Sequence, residues 1–250
     1  MDLVNRKIFK LKGKVQPYAW GGYEFIPGLL GIKPSKEPAA EYWLGAHETA
    51  SAEVIDDHSS IPLNKLIAEH PVETIGDDVG KAFGRLPYLL KILDVNDMLS
   101  IQVHPSKVAA EQEFARENEA GIPHDDPKRN YKDDNHKPEL MVALNNFWLL
   151  HGFKSKDQLV EILKTVPELW ELIPPFEQGN YEGLYRFVME MPQEEVNRLL
   201  QPLIDRVVPL YEAGRLNRAQ EDFWAARAAL TYTQKNIIDR GIFSIYLLNL

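Results

Sequence analysis

Two short stretches of the chain carry polar side chains at spacings that could hold a metal ion. The first, Leu99–His104, reads Leu-Ser-Ile-Gln-Val-His and is followed by Pro105. Side chains alternate between the two faces of a β-strand, so Ser100, Gln102 and His104 would share one face. Gln102 and His104 are neighbours on that face, and one ion could bind between them.

The second stretch, Asn135–Met141, carries Lys137 and Glu139 at the same spacing of two. If the two strands lie together, Glu139 adds a carboxylate oxygen to the donors Gln102 and His104. Zinc accepts such nitrogen and oxygen ligands, and manganese or iron would also fit. Lys137 would then stabilise negative charge developing beside the metal. Spacing alone leaves a second interpretation open, namely polar residues at a strand rim.

Composition narrows the possible functions. The 250 residues include no cysteine, which excludes disulfides, thiolate zinc sites and cysteine nucleophiles. The formal net charge is -9, and no dense Lys/Arg cluster offers a face to nucleic acid. Residues 1–14 lack the apolar core of a signal peptide, and no apolar run reaches the ~20 residues of a membrane span. We therefore expect a cytoplasmic protein that binds neither nucleic acid nor membrane.

The elements that must position these residues change along the chain. Up to about Phe153, short apolar runs broken by Gly, Pro, Asn and Asp predict strands. The strand candidates are Ser51–Ile55, Leu86–Leu93, Leu99–His104, Leu140–Leu144 and Phe147–Phe153. Two helices are predicted in the same region, Leu63–His70 and Ser106–Glu119, the second with Ser106 as its cap.

After Lys154 the pattern favours helices. The predicted helices are Ser155–Lys164, Pro192–Gly214 and Leu216–Arg240. The second has an apolar stripe formed by Val196, Leu199, Leu200, Leu203, Val207 and Leu210. Pro209 is expected to kink or break it. Gly241–Leu250 is strand-like and ends within apolar sequence, so we expect a fragment of a longer protein.

Five motifs follow one another over residues 16–139. They are Gln-Pro-Tyr-Ala-Trp-Gly at 16–21, Ala-Glu-Tyr-Trp-Leu-Gly-Ala-His at 40–47, Pro-Tyr-Leu-Leu-Lys-Ile-Leu at 87–93, the run 99–107, and Asn-His-Lys-Pro-Glu at 135–139. In this order they resemble the type I mannose-6-phosphate isomerase (phosphomannose isomerase) family, zinc enzymes with a cupin fold. The resemblance is close through Phe153 and looser in the helical part.

The resemblance implies a mixed fold, a cupin-like β-sandwich (jelly-roll) followed by a mostly α-helical segment. It places a cupin-like catalytic domain at residues 1–153 and the helical segment at 154–240. Residues 241–250 would begin a further β segment that is cut off. Periodicity alone supports only a β-rich first part and a helical second part.

The resemblance also implies a metal site. Gln102, His104 and Glu139 match the family's first three ligands to a single zinc ion. The family's fourth ligand is a histidine in a later strand, and a substrate-contacting arginine follows it. Neither has a counterpart here, because the sequence stops at Leu250.

Further residues match the family's sugar-phosphate pocket. Lys137 and Ser100 match residues beside the metal, and Lys91 matches another pocket lysine. Three more match motif residues that form pocket walls or structural support, namely Trp20, Glu41 and His47. His47 is expected to be a buried, hydrogen-bonded histidine rather than a participant.

The implied reaction interconverts mannose 6-phosphate and fructose 6-phosphate through an ene-diolate, with zinc as Lewis acid. The base that takes the C2 proton stays open among a zinc-bound water, Lys137 and a residue beyond Leu250. One alternative is a zinc cupin that binds a sugar phosphate without turnover. Another is an interaction module whose working surface is the helical half, 155–240. The expected partner is a small sugar phosphate, and a monomer is favoured.

Overall fold

Short antiparallel sheets occupy the first part of the chain, and helices form most of the remainder. The computed structural model describes residues 8–56, 59–99, 102–234 and 236–250. The chain divides into two compact units, Met1–Leu99 and Ser100–Leu250, here called the N-terminal and C-terminal units. The mixed α/β composition confirms the coarse fold prediction, whereas the predicted domain limit at residue 153 stays a prediction.

The N-terminal unit contains two three-stranded antiparallel sheets, ordered β1-β4-β5 and β2-β3-β6. Its strands are β1 (Lys10–Lys12), β2 (Lys14–Gln16), β3 (Glu41–Leu44), β4 (Glu53–Asp56), β5 (Ser59–Pro62) and β6 (Leu90–Leu93). Its helices are α1 (Phe25–Leu30), α2 (Leu63–Glu69), α3 (Pro71–Ile75) and α4 (Asp77–Phe83). The strands predicted over 51–55 and 86–93 and the helix predicted over 63–70 are therefore confirmed, with shorter bounds.

The sheet β2-β3-β6 has one apolar and one polar face. Tyr42 of β3 and Ile92 of β6 pack with Ile26 of α1 on the apolar face. The register pairs Trp43 with Lys91, so these two side chains lie on the opposite face. A second core lies beside the other sheet, and its buried residues are Val54, Leu63, Leu66 and Ile67.

The motif over residues 16–21 makes a tight approach to β3. A Cβ added at Gly21 would lie 2.5 Å from the Cα atom of Ala40. The Gly21 amide donates to the Tyr18 carbonyl at 2.9 Å, and Gly21 forms an isolated bridge with Val95. This position therefore requires glycine because no side chain fits.

The C-terminal unit is mostly helical. Its elements are α5 (Lys107–Glu119), β7 (His151–Phe153), α6 (Lys156–Thr165), a 3₁₀ helix (Pro167–Leu172), α7 (Ile173–Glu190), α8 (Gln193–Glu212), α9 (Glu221–Tyr232), α10 (Gly241–Leu247) and β8 (Leu248–Asn249). β7 pairs antiparallel with β8. Ser106 caps α5 as predicted, and Ser155, where the second predicted helix of this part begins, forms a capping box with Gln158 at α6. No helix in the described ranges is long and apolar enough to cross a membrane.

Helix α8 runs through two prolines. The predicted stripe is buried at Val196, Leu199, Leu200, Leu203 and Val207, and Leu210 is half-buried. Of the kink or break expected at Pro209, the break is wrong, because α8 continues to Glu212. Pro202 and Pro209 are both exposed, while the buried stripe on the other side holds the helix in place by packing.

A charged network connects the helices of this unit. Arg206 of α8 donates to Glu168 and to Asp222, at 2.7 and 2.6 Å. The buried Tyr246 donates its hydroxyl hydrogen to Asp222 at 2.7 Å. Burial opposes ionisation of Glu168, but the hydrogen bonds from Arg206, a backbone hydrogen bond and the positive charge of Arg206 together lower the pKa of that carboxyl.

The strand predicted over Gly241–Leu250, and with it the expected start of a β segment, is wrong for most of its length. Gly241–Leu247 forms α10, and only Leu248–Asn249 is a strand. Every side chain of 242–247 is buried. A segment buried on all sides shows neither helical nor strand periodicity, so the pattern could not distinguish the two.

Two further strands are absent from the described residues where the pattern predicts them. Leu99 and residues 102–104 lie outside strands, and so does all of 140–144. Leu140, Val142 and Leu144 are 94%, 74% and 74% exposed, so this alternation has no buried face. The strand predicted over 147–153 is shortened to His151–Phe153.

Candidate functional site

His104 and Glu139 meet in the C-terminal unit. The His104 Nε2 and Glu139 Oε2 atoms are 3.7 Å apart, and both side chains are partly exposed. Two donor atoms on a tetrahedral zinc ion lie about 3.3 Å apart, given zinc bonds of about 2.0–2.1 Å. The nitrogen–oxygen pair therefore fits zinc after a shift of a few tenths of an ångström. It lies in loop segments rather than on the paired strands that the spacing predicts.

The remaining predicted donor, Gln102, is exposed and lies two residues before His104. It makes no hydrogen bond to another residue in the described ranges. Among those ranges there is no cluster of three His, Cys, Asp or Glu side chains able to hold a metal. A third donor from the described ranges would therefore be a group of another kind, such as the amide oxygen of Gln102. Ser100 lies outside the described residues.

The start of α5 fixes the position of His104. Pro105 and the cap residue Ser106 follow it directly, and the Ser106 hydroxyl accepts the Ala109 amide at 3.2 Å. The Ser106 carbonyl accepts the Ala110 amide at 2.9 Å. His104 is thus attached to the first turn of a helix of 13 residues.

The same helix also holds the loop that carries Glu139. The Lys107 ammonium group donates to the Asp134 carbonyl at 2.9 Å, and it lies 3.6 Å from the Asp134 carboxylate. It also pairs with Glu111 one turn along α5, at 3.1 Å. Lys107 lies three residues after His104 and binds the loop that leads to Glu139. The first turn of α5 therefore positions both candidate donors, His104 and Glu139.

A buried arginine anchors the earlier part of this loop. Arg129 is only 4% exposed and donates to the carbonyl groups of Ile122 and Tyr131, at 2.6 and 2.7 Å. Glu117 of α5 accepts the Tyr131 amide at 2.8 Å. That backbone hydrogen bond is the main reason why the pKa of Glu117 is lowered. The loop is therefore tied to α5 at both ends.

Lys137 carries its charge beside Asp133, four residues earlier. Its ammonium nitrogen lies 3.1 Å from the Asp133 carboxylate, and its side chain is 60% exposed. Burial opposes ionisation of Asp133, but the Asn135 amide and Lys137 together lower its pKa. Lys137 is thus an accessible cation two residues from Glu139.

Lys91 lies in the N-terminal unit, on the polar face of the β2-β3-β6 sheet. Its ammonium nitrogen is 3.5 Å from a Glu41 carboxylate oxygen and 5.0 Å from the centroid of the Trp43 ring. The Trp43 indole N–H donates to the same Glu41 oxygen. Glu41 is 6% exposed. The sequence indicated a supporting role for Glu41 but not its contact with Lys91.

Aromatic residues of the early motifs make ring contacts in the same unit. His47 packs edge-on against Trp43 at 4.8 Å between ring centroids. His47 is exposed, so its expected burial is wrong. Trp20 stacks on Tyr18 at 5.7 Å. Partial burial raises the pKa of Tyr18, and the negative charge of Glu41 adds to the effect.

The sequence did not reveal the residues that anchor the loop. Arg129 follows Asp125, Asp126 and Lys128, and such a charged run is typical of an exposed loop. Lys107 belongs to a motif but its contact with Asp134 spans 27 residues, which spacing cannot show. For Glu41 a signal existed, since alternation places it on the same strand face as Trp43.

Comparison with known proteins points to the same family as the five sequence motifs over residues 16–139. The family model described as phosphomannose isomerase type I, catalytic domain, matches residues 8–156. The chain is 36% identical over 246 residues to mannose-6-phosphate isomerase of Salmonella typhimurium, covering 96% of this chain and 60% of that protein. It is 31% identical over 274 residues to the Rattus norvegicus enzyme, covering 99% of this chain and 61% of that protein.

Solved structures give the same result. The crystal structure of the Salmonella typhimurium enzyme bound to fructose 6-phosphate and zinc matches with a TM-score of 0.81 and 33% identity, over 96% of this chain and 60% of that chain. The chain spans about 60% of the length of the first of these curated relatives. With the family model covering more than half of its residues, the chain belongs to the type I phosphomannose isomerase family.

Proposed function

We propose that this chain is the zinc-binding part of an isomerase that interconverts mannose 6-phosphate and fructose 6-phosphate. The observation that carries the proposal is the approach of His104 to Glu139, 3.7 Å between nitrogen and oxygen, at family motif positions. The relative from Salmonella typhimurium, crystallised with fructose 6-phosphate and zinc, supports the choice of substrate and metal.

The residues present fit a zinc ion. Gln102, His104 and Glu139 would hold it, since they offer one nitrogen and two oxygens and no competing thiolate exists in the chain. When bound, zinc supplies a positive charge that stabilises negative oxygen in the transition state. The sites of His104 and Glu139 are held by α5 through Ser106 and Lys107.

Two lysines, Lys137 and Lys91, are proposed to stabilise negative charge on the substrate. Isomerisation moves a proton between C1 and C2 of the open-chain sugar and builds negative charge on the attached oxygens. Lys137 can donate hydrogen bonds to such an oxygen because its side chain is 60% exposed. A phosphate dianion needs local positive charge in a chain of net charge -9, and Lys91 is proposed to supply it. Ser100 is proposed as a further hydrogen-bonding group.

We also propose that the fold is a cupin-like β-sandwich followed by a helical segment, within the limits 1–153 and 154–240. The two three-stranded antiparallel sheets of the N-terminal unit support a sandwich of this kind. The helices α6 to α9 support the second segment. The cytoplasmic location and the monomeric state stay predictions of the sequence.

A coupled assay for fructose 6-phosphate formed from mannose 6-phosphate tests the function. The purified chain should turn over with added zinc and stop when the zinc is chelated. H104A should abolish the zinc-dependent rate, whereas E182Q, an exposed carboxylate on α7, should leave it unchanged.

No turnover from a folded, zinc-loaded chain would contradict the isomerase proposal for these 250 residues. The second candidate function, binding of a sugar phosphate without turnover, would then be favoured, because the chain covers 60% of its relative's length. Isothermal titration with mannose 6-phosphate separates that candidate from an interaction module, which would bind no sugar phosphate.

A further inference from the structure

The polar face of the β2-β3-β6 sheet contains a buried carboxylate with two partners. Glu41 is 6% exposed, and a charge this far from water requires compensation. The Trp43 indole N–H supplies one hydrogen bond, and the Lys91 ammonium group lies 3.5 Å away. Both partners contact the same oxygen atom, Glu41 Oε2, so the three groups form one compact cluster.

Lys91 is constrained on two sides and open on a third. Its backbone lies opposite Trp43 in the strand register, and its ammonium group lies 5.0 Å from the Trp43 ring centroid. A cation at this distance is attracted to the ring face. The Lys91 side chain nevertheless remains 30% exposed. An ammonium group has three N–H donors, so a contact with Glu41 leaves two for a ligand.

We propose that Glu41 and Trp43 are positioning residues that fix the Lys91 ammonium group for a sugar-phosphate oxygen. This inference rests on the proposed function. A free lysine side chain loses rotamer freedom when a ligand immobilises it. Glu41 and Trp43 restrict Lys91 before the ligand arrives, so less of that cost falls on binding.

Three variants separate positioning from a merely structural ion pair. E41Q removes the negative charge but keeps an oxygen that can accept the Trp43 N–H. W43F keeps an aromatic ring and removes the N–H donor. The control E53Q removes another lysine–carboxylate pair of the same unit, between Lys14 and Glu53 at 2.6 Å. Far-ultraviolet circular dichroism checks that each variant folds. If E41Q does not fold, W43F tests the proposal in its place.

The first readout is acetylation of Lys91, measured by peptide mass spectrometry. E41Q should raise the labelling rate of Lys91 about threefold or more, because the lysine side chain regains rotamer freedom and becomes more accessible to the reagent once its ion pair with Glu41 is gone. E53Q should leave Lys91 labelling unchanged. Equal labelling of Lys91 in E41Q, W43F and the parent chain would overturn the proposal.

The second readout is steady-state kinetics of the zinc-loaded chain. K91Q and E41Q should change the same constant, KM or kcat, and the double variant should be no worse than K91Q alone. Additive effects of the two substitutions would contradict a shared role. If the parent chain shows no turnover, the proposed isomerase activity fails by itself. In that case the acetylation of Lys91 is measured with and without mannose 6-phosphate. If the sugar phosphate protects Lys91 in the parent chain but not in E41Q, the positioning role is supported. If it does not protect Lys91 in the parent chain, the positioning role is overturned.

Discussion

At the scale of single residues, the candidate metal centre combines donors of different kinds. His104 offers an imidazole nitrogen and Glu139 a carboxylate oxygen, 3.7 Å apart. Their partial exposure leaves room for a metal and a ligand to reach them. The cation Lys137 lies two residues from Glu139 in the chain and pairs with Asp133. The charge pattern of the loop therefore leaves Glu139 available as a ligand.

Replacement of Glu139 by glutamine should weaken zinc binding at least about tenfold. The amide keeps the shape of the side chain but lacks the negative charge that attracts the cation. Competition with a chromogenic chelator measures the dissociation constant directly and needs no turnover. E182Q serves as control, since that carboxylate is exposed on α7. An unchanged dissociation constant for E139Q would show that Glu139 is not a ligand.

At the scale of elements, α5 and the loop behind it place the donors. Arg129 connects two carbonyl groups of the loop, and Lys107 connects α5 to Asp134. Both contacts lie outside the candidate donors, yet each restricts the path of the chain between His104 and Glu139. The positions of His104 and Glu139 therefore depend on hydrogen bonds made by residues that are not metal donors themselves.

The variant R129M should lower the free energy of unfolding by about 2 kcal/mol, because it leaves two partly buried carbonyl groups without their donor. It should also weaken zinc binding, since the loop that carries Glu139 loses an anchor. Urea unfolding and the chelator competition measure the two effects. R186M, at an exposed position on α7, is the matched control. If R129M is destabilised but binds zinc with normal affinity, Arg129 stabilises the fold without positioning the zinc ligands.

The same elements show which features the sequence could reveal. The caps Ser106 and Ser155 were predictable because capping depends on residues within one turn. The pairing of His104 with Glu139 was also expected, but from adjacent strands, whereas the structure brings them together through loops. Arg129 was not predictable, since its partners become neighbours only when the loop folds back on α5. The helix over 241–247 was missed because its burial on all sides removes periodicity.

At the scale of the whole molecule, ion pairs and hydrogen bonds lower the pKa of carboxyl groups in both units. The groups are Glu53, Glu117, Asp133, Glu168 and Glu171. A carboxyl whose pKa is lower in the folded state contributes stability above its unfolded pKa. That contribution is lost as the pH falls through the folded pKa, because the unfolded chain then binds more protons.

The urea midpoint should therefore fall as the pH is lowered from about 6 to about 3. E168Q should reduce this dependence, since Glu168 contacts Arg206 in the helical network. E182Q should not, as its side chain is 82% exposed. Urea titrations at several pH values measure both slopes. Equal slopes for E168Q and the parent chain would show that the Arg206 network does not respond to acid.

The β7–β8 pair also implies an order of folding events. Asn249 donates side-chain hydrogen bonds to the carbonyl groups of His151 and Phe153, 98 and 96 residues earlier in the chain. Closing a flexible loop of that length costs about 4 kcal/mol of chain entropy beyond a constant. Packing of α6 to α10 shortens the effective loop, so we expect the two strands to join after the helices have packed. We therefore expect the β7–β8 pair to form late, and its amide hydrogens to exchange with solvent before those of helices α6 to α10.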